Sequence, residues 1–230
     1  MDDLDLDGLD LSLDGLDLDL DTFDGLDVKS ADSEQKYFKP KKHIVNVAKI
    51  KYENADKMAV ELGGCNGRTF ALLSGSFIFG DLIEAIVVRN NWHVKRLVIS
   101  TLSLSIANIE SLRNLIVGGY VDKLDLVVSD YFYSHERNKL IKDIYERLDI
   151  DGKLQLTVAN THTKIVTIET HCGRSVIMHG SANLRSSGCT EQVCIEDDAQ
   201  LTRFYIDELI EPNIEYFSTI GKSTRIRGFL

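Results

Sequence analysis

An α/β fold, with a mixed, mostly parallel β-sheet flanked by helices, is what the sequence predicts, and three observations carry it. Apolar runs of strand length alternate with helical periods from Lys42 onward. The chain has 230 residues, 43% of them apolar, with a mean hydropathy of −0.09, which suits one main core. No window approaches the roughly 18 uninterrupted apolar residues that a membrane-crossing helix needs.

Each element follows from its local pattern. Residues 43–52 read as a strand, with Ile44, Val45, Val47 and Ile50 apolar. Residues 69–74 form a second, closed by Gly75, and Asp81 is placed to cap a helix to about Asn90, with Leu82, Ile83, Ile86 and Val87 on one face. Residues 94–104 are rich in β-formers, and residues 108–117 return to helical spacing. A strand over 123–128 leads to an amphipathic helix over 134–148, whose apolar side is Leu140, Ile141, Ile144, Tyr145 and Leu148. Strands follow at 153–158, 164–169 and 174–179, the last two joined by a hairpin turn at His171-Cys172-Gly173. A C-terminal helix over 201–217 is expected to break at Pro212.

The net charge of −10 divides unevenly. Residues 1–35 hold twelve Asp and one Glu against Lys29, a net of −12, which leaves 25 basic and 23 acidic side chains for the rest. An acidic total therefore does not exclude an anionic partner for the body. Residues 1–27 alternate Asp with Leu and repeat Asp-Gly-Leu-Asp three times. Charges this dense repel one another, so the segment is expected to be disordered in isolation, while its leucines suit folding against a protein partner. Asp5-Leu6-Asp7-Gly8 is similar to the start of a calcium loop but lacks the bidentate Glu that would close it. Residues 36–42 turn basic around Pro40, so the boundary falls between a tail and linker over 1–41 and a folded domain over 42–230. The N-terminus has no basic-then-apolar secretory pattern. Four scattered cysteines without a C-x-x-C pair suggest reduced thiols in a cytoplasmic protein.

Chemistry concentrates between Thr161 and Gln192. His162 and Lys164 sit two apart at the start of a strand, so a period of two points both to one face. Gly180-Ser181-Ala182-Asn183 follows the next strand, at the same end of the hairpin, and Glu191 lies further on. An imidazole, an ammonium, a hydroxyl and a carboxamide gathered in one place suit a tetrahedral oxyanion such as phosphate, with Gly180 allowing close backbone approach.

With His162-x-Lys164, the acidic Glu169 and the Gly180-Ser181-x-Asn183 turn, the sequence resembles the phospholipase D superfamily over residues 69–195. His93-Val94-Lys95 also matches His-x-Lys, but no Gly-Ser-x-Asn turn follows it, and it reads as chance. The resemblance implies a phosphodiester-cleaving site that uses no metal or other cofactor. His162 would act as nucleophile or acid, Lys164 and Asn183 would hold the non-bridging oxygens with support from Ser181 and Gly180, and Glu191 would orient a histidine across the site. Glu169 stands where the family usually has Asp, in a supporting position, and ten residues separate it from Gly180, which suggests a longer hairpin. One motif copy in about 195 residues implies a homodimer with a His162 from each subunit, similar to the small single-motif endonucleases of the superfamily. Nucleic acid, DNA before RNA, is then the expected substrate, and no amphipathic lipid-facing surface points to a membrane.

Blander readings stand beside these. His162 could be a buried imidazole satisfying a carbonyl, and Lys164 an edge-strand charge. His171, His179 and Cys172 read as turn and surface residues before metal ligands, and Cys189 and Cys194 as small buried residues. Trp92 and Tyr131-Phe132-Tyr133 read as core before base-stacking platforms. A non-catalytic module binding nucleic acid or protein through the same cleft is the alternative to an enzyme. If the acidic tail imitates a phosphate backbone and occupies that cleft, deleting residues 1–35 is expected to raise DNA affinity in a low-salt titration. Unchanged affinity leaves the tail as a docking tether for a separate protein.

Overall fold

In the computed structural model, residues 45–51, 53–62, 67–185 and 188–217 are described. The tail and linker expected over residues 1–41 lie outside the described residues. The elements run β1 (Val45–Lys51), α1 (Ala55–Leu62), β2 (Arg68–Ser74), α2 (Phe79–Arg89), β3 (Val94–Thr101), α3 (Ile106–Val117), β4 (Leu124–Ser129), α4 (Asp130–Glu136), α5 (Leu140–Leu148), β5 (Leu154–Ala159), β6 (Ile165–Thr170), β7 (Ser175–Gly180), β8 (Glu191–Asp197) and α6 (Ala199–Tyr205). A π-helical turn, Ile206–Ile210, follows α6, and residues 211–217 return to α-helix.

The eight strands form one sheet in the order β1-β2-β8-β7-β6-β3-β4-β5. The mixed α/β class holds, but the balance differs from the expected mostly parallel sheet. The β1–β2, β3–β4 and β4–β5 ladders are parallel, whereas β2–β8, β8–β7, β7–β6 and β6–β3 are antiparallel. The reason is connection length. Parallel neighbours need a crossover, supplied here by α1, by α3 and by α4 with α5, whereas no helix separates β6, β7 and β8. These three strands therefore run as a meander that fills the space between the two parallel groups.

Alternation along the strands explains the two apolar layers. Ala71 and Leu73 of β2, Leu97 and Ile99 of β3, Val166 and Ile168 of β6, Val176 and Met178 of β7, and Val193 and Ile195 of β8 join one cluster with the buried faces of α1, α2, α3 and α5. On the other face Ile165 and Ile177 meet Leu201 of α6, and Val98, Val127 and Ala159 meet Ile210. β4 is covered on both faces and buried throughout. This second layer stops short of β1 and β2, where Val47, Phe70 and Leu72 stay 83%, 44% and 48% exposed.

Several elements depart from their local signals. α1 and β8 had none strong enough to register. The helix expected over 134–148 is two helices, since Lys139 leaves helical geometry at φ −127°, ψ −100°. Asp81 does not cap α2, whose N-cap is Ile78. It lies in the first turn and accepts from Ser111 Oγ of α3 at 2.5 Å. The C-terminal helix is perturbed at Ile206–Ile210, just before Pro212, whose missing N–H and ring at the next turn oppose a regular α-helical ladder. The hairpin turn is as expected, with Gly173 at φ +85°.

The Asp125 carboxylate lies fully inside the sheet. Asp125 of β4 pairs with Arg96 of β3 at 2.6 Å and with Lys123 at 3.2 Å, and Arg96 also reaches Glu211 at 2.7 Å. Removing one member of such a pair leaves its partner desolvated and uncompensated. Asp125→Ala is therefore expected to cost about 3 kcal/mol in denaturant unfolding, and Arg96→Met with Asp125→Leu together much less.

Candidate functional site

β5 ends at Ala159, and the Thr161 N–H donates back to the Ala159 carbonyl at 3.0 Å. The chain turns there toward β6. Thr163 points inward, its hydroxyl 2.7 Å from Ser100 Oγ of β3 and 2.8 Å from Thr161 Oγ1. His162, on the alternate side, is exposed, and Lys164 is half-buried with its Nζ donating to the His162 carbonyl at 3.1 Å. The reading of His162 as a buried core imidazole does not survive this placement.

The β6–β7 register brings the second half of the motif alongside. Ile165 pairs with His179, and the Gly180 N–H donates to the Lys164 carbonyl at 3.4 Å. Gly180 opens the turn that carries Ser181 and Asn183. The glycine is needed where β8 approaches, because a Cβ at this position would fall on the Gln192 carbonyl oxygen. The Ser181 N–H donates to that same carbonyl at 3.0 Å, and the Gln192 N–H returns a bond to Ser181 Oγ at 3.0 Å. Ser181 Oγ in turn donates to Glu191. Ser181 is thus held by the first residues of β8, and within one chain Glu191 bonds the turn itself.

Beyond Ser181 the loop is fixed across the carboxyl end of β3. The Leu184 N–H donates to Thr101 Oγ1 at 3.2 Å, and the Leu184 carbonyl accepts from the fully buried Asn108 of α3 at 2.8 Å. The Arg185 N–H reaches the Ser103 carbonyl at 3.4 Å. Asn183 lies between these anchors with its Oδ1 buried and without a hydrogen-bond partner. His162, Lys164, Gly180, Ser181, Asn183 and Glu191 therefore gather where β3 and β5 end and β6 begins. Ligands of α/β sheets commonly bind outside the carboxyl ends of parallel strands. A cleft of about 530 Å³ adjoins this loop, lined by Ser103, Ser105, Tyr131, His135 and Arg185 among others.

Glu169 is not brought here. It sits near the far end of β6, opposite Arg96 and Ser175, roughly 17 Å along the strand from Lys164. His171 is in the hairpin turn as expected, with its Nε2 2.6 Å from Asp122. Cys172 is exposed there, and the Thr170 hydrogen bond holds its thiol below the usual range. Trp92 and Phe132 are core residues, but Tyr131 is 63% exposed and packs against His135, with ring centroids 4.0 Å apart and the planes tilted by 31°. Cys189 is exposed rather than buried.

His179 is not a free surface residue. It lies half-buried on β7, facing two side chains of β8, Cys194 and Glu196, that carried no motif in the sequence. Burial pushes the Cys194 thiol up to about 12, with the Glu196 charge adding to it. Burial also pushes the Glu196 carboxyl up, but the Arg68 hydrogen bond and charge outweigh it and hold the group below the usual carboxylate range.

No family model and no curated protein matches the sequence. Among solved structures, the chain is similar to polyphosphate kinase from Porphyromonas gingivalis, with 11% identity over 58% of this chain and 24% of that one and a TM-score of 0.46. It is also similar to phosphatidylserine synthase from Haemophilus influenzae, with 15% identity over 64% and 38% and a TM-score of 0.43. Yeast tyrosyl-DNA phosphodiesterase gives 16% identity over 56% and 31% and a TM-score of 0.34. The chain thus spans between a quarter and two fifths of the length of these proteins. A likeness of that extent transfers none of their activities.

The close approach of β7 and β8 makes one residue of the turn sensitive. Gly180→Ala is expected to destabilise the chain by about 1–3 kcal/mol, the range for an overpacked site, as a lowered denaturation midpoint.

Proposed function

We propose that the chain is a metal-independent phosphodiesterase of the phospholipase D-like kind, cleaving DNA at a site completed by a second copy of itself. The observation that supports this reading is the hydrogen bond from the Gly180 N–H, which opens the Gly180–Asn183 turn, to the carbonyl of half-buried Lys164, two residues from exposed His162. The reading rests on this set of side chains and not on the structural likenesses.

In the reaction, a neutral His162 attacks phosphorus, forming an N–P bond as the P–O bond to one deoxyribose oxygen breaks. That oxygen takes its proton from the partner subunit's His162. Water then attacks phosphorus, giving up a proton to the partner subunit's His162 while the N–P bond breaks and frees the first imidazole. Lys164 and the Asn183 carboxamide offset charge on the non-bridging oxygens. Glu191, which carries the Ser181 bond within its own chain, is suited to orient an imidazole from the other subunit. The exposed Tyr131 and Arg185 in the adjoining cleft suit a nucleobase and a phosphate backbone.

Wild type is expected to cleave single- or double-stranded DNA in the presence of EDTA, and His162→Ala to lose at least about 1,000-fold in rate while keeping its unfolding midpoint. A phosphohistidine trapped on denaturing the wild type with substrate would mark the intermediate, and sizing should give a dimer. Wild type that binds DNA without cutting it, with binding unchanged in His162→Ala, would instead identify a non-catalytic module.

A further inference from the structure

The three side chains that converge across β7 and β8 are also arranged as metal ligands. His179 and Cys194 are a cross-strand pair, and Glu196 is two residues further along β8 on the same face. His179 Nε2 lies 3.5 Å and Cys194 Sγ 3.4 Å from one carboxylate oxygen, Glu196 Oε1. All three donor atoms fall within 4.8 Å of one another. For zinc bonds of about 2.0–2.3 Å, the edges of a tetrahedron are roughly 3.3–3.7 Å, so the two short separations are those of neighbouring ligands on one ion. The other carboxylate oxygen, Oε2, is held by Arg68 from β2 at 2.7 Å. That division leaves Oε1 directed at the histidine and the cysteine, which is how a supporting residue orients a ligating carboxylate.

We propose that His179, Cys194 and Glu196 form a zinc-binding site with one coordination position left to solvent. A cleft of about 400 Å³ reaches these strands and is lined by His179 and Cys194 together with Val47, Phe70, Leu72 and Gln192. The thiolate selects a borderline-soft ion over magnesium or calcium, and the N, S, O set suits tetrahedral zinc. Binding forms Zn–N, Zn–S and Zn–O bonds, releases the Cys194 thiol proton to solvent and changes no oxidation state. The ion cross-links β7 to β8, the strands whose ends carry Ser181 and Glu191. It takes no part in the phosphoryl transfer proposed above, and the two readings stand or fall separately.

The test uses the full chain stripped with a chelator, dialysed, and titrated with cobalt(II) as a spectroscopic probe and with zinc(II). One ion per chain is expected, with a thiolate-to-cobalt charge-transfer band and tetrahedral d–d bands, and zinc should raise the thermal midpoint. Cys194→Ser is expected to abolish the charge-transfer band. His179→Asn, a change at a half-buried position, should weaken zinc binding by on the order of tenfold or more with the fold checked by circular dichroism. The triple variant Cys65→Ser/Cys172→Ser/Cys189→Ser should keep both the stoichiometry and the band. The proposal is overturned if the folded wild type binds neither metal stoichiometrically. It also fails if the band survives Cys194→Ser or disappears in the triple variant, or if His179→Asn binds zinc as wild type does.

Discussion

The register between β6 and β7 is the constraint on which the rest of the chemistry depends. Ile165 opposite His179 makes Gly180 a hydrogen-bonded neighbour of Lys164. A slip of one residue would turn Val166, Ile168, Val176 and Met178 out of the main core and carry the motif side chains to the wrong face. The core therefore enforces the geometry of the site, because the segments carrying His162, Lys164 and Asn183 directly flank the strands that bury those apolar residues.

Position within the sheet supplies the second level of control. The β6–β7–β8 meander is wedged between two parallel groups, and each of its strands is hydrogen-bonded on both sides. A turn on an edge strand would have one neighbour to hold it. Here the Ser181–Arg185 loop is anchored to β8 through Gln192, to β3 through Thr101, and to α3 through Asn108. Strand pairing also brings charges into the sheet interior, within a parallel group as well as at the edge of the meander. Asp125 against Arg96 and Glu196 against Arg68 are buried carboxylates whose partners come from the adjoining strand, so each pair is satisfied only when the strands pair correctly.

Legibility in the sequence followed the range over which each signal acts. Strands with several β-branched residues and helices with a clear apolar face, such as α5, were readable because period and burial agree within one segment. The break at Lys139 was not, since residues 134–139 are polar and contain no glycine or proline to mark where one helix stops and the next begins. α1 and β8 escaped because their assignment comes from what covers them: Met58, Ala59 and Leu62 bury against other helices, and β8 closes the gap between β2 and β7. Asp81 carries a helix-capping signal and is instead used by Ser111 of a neighbouring helix. Glu169 matches the family spacing but stands a strand's length away, as spacing within a strand requires.

The sequence alone determined the α/β class, the hairpin at Gly173 and the grouping of His162, Lys164, Ser181 and Asn183, because each is set by residues close together in the chain or joined by one short turn. Only the tertiary structure decided the antiparallel majority of the sheet, the engagement of Glu191 by Ser181, the exclusion of Glu169 from that group, and the meeting of His179 with Cys194, Glu196 and Arg68. Those outcomes depend on which strands become neighbours across the sheet. That choice is made by helices on both faces competing for apolar cover, and no local pattern of residues encodes it.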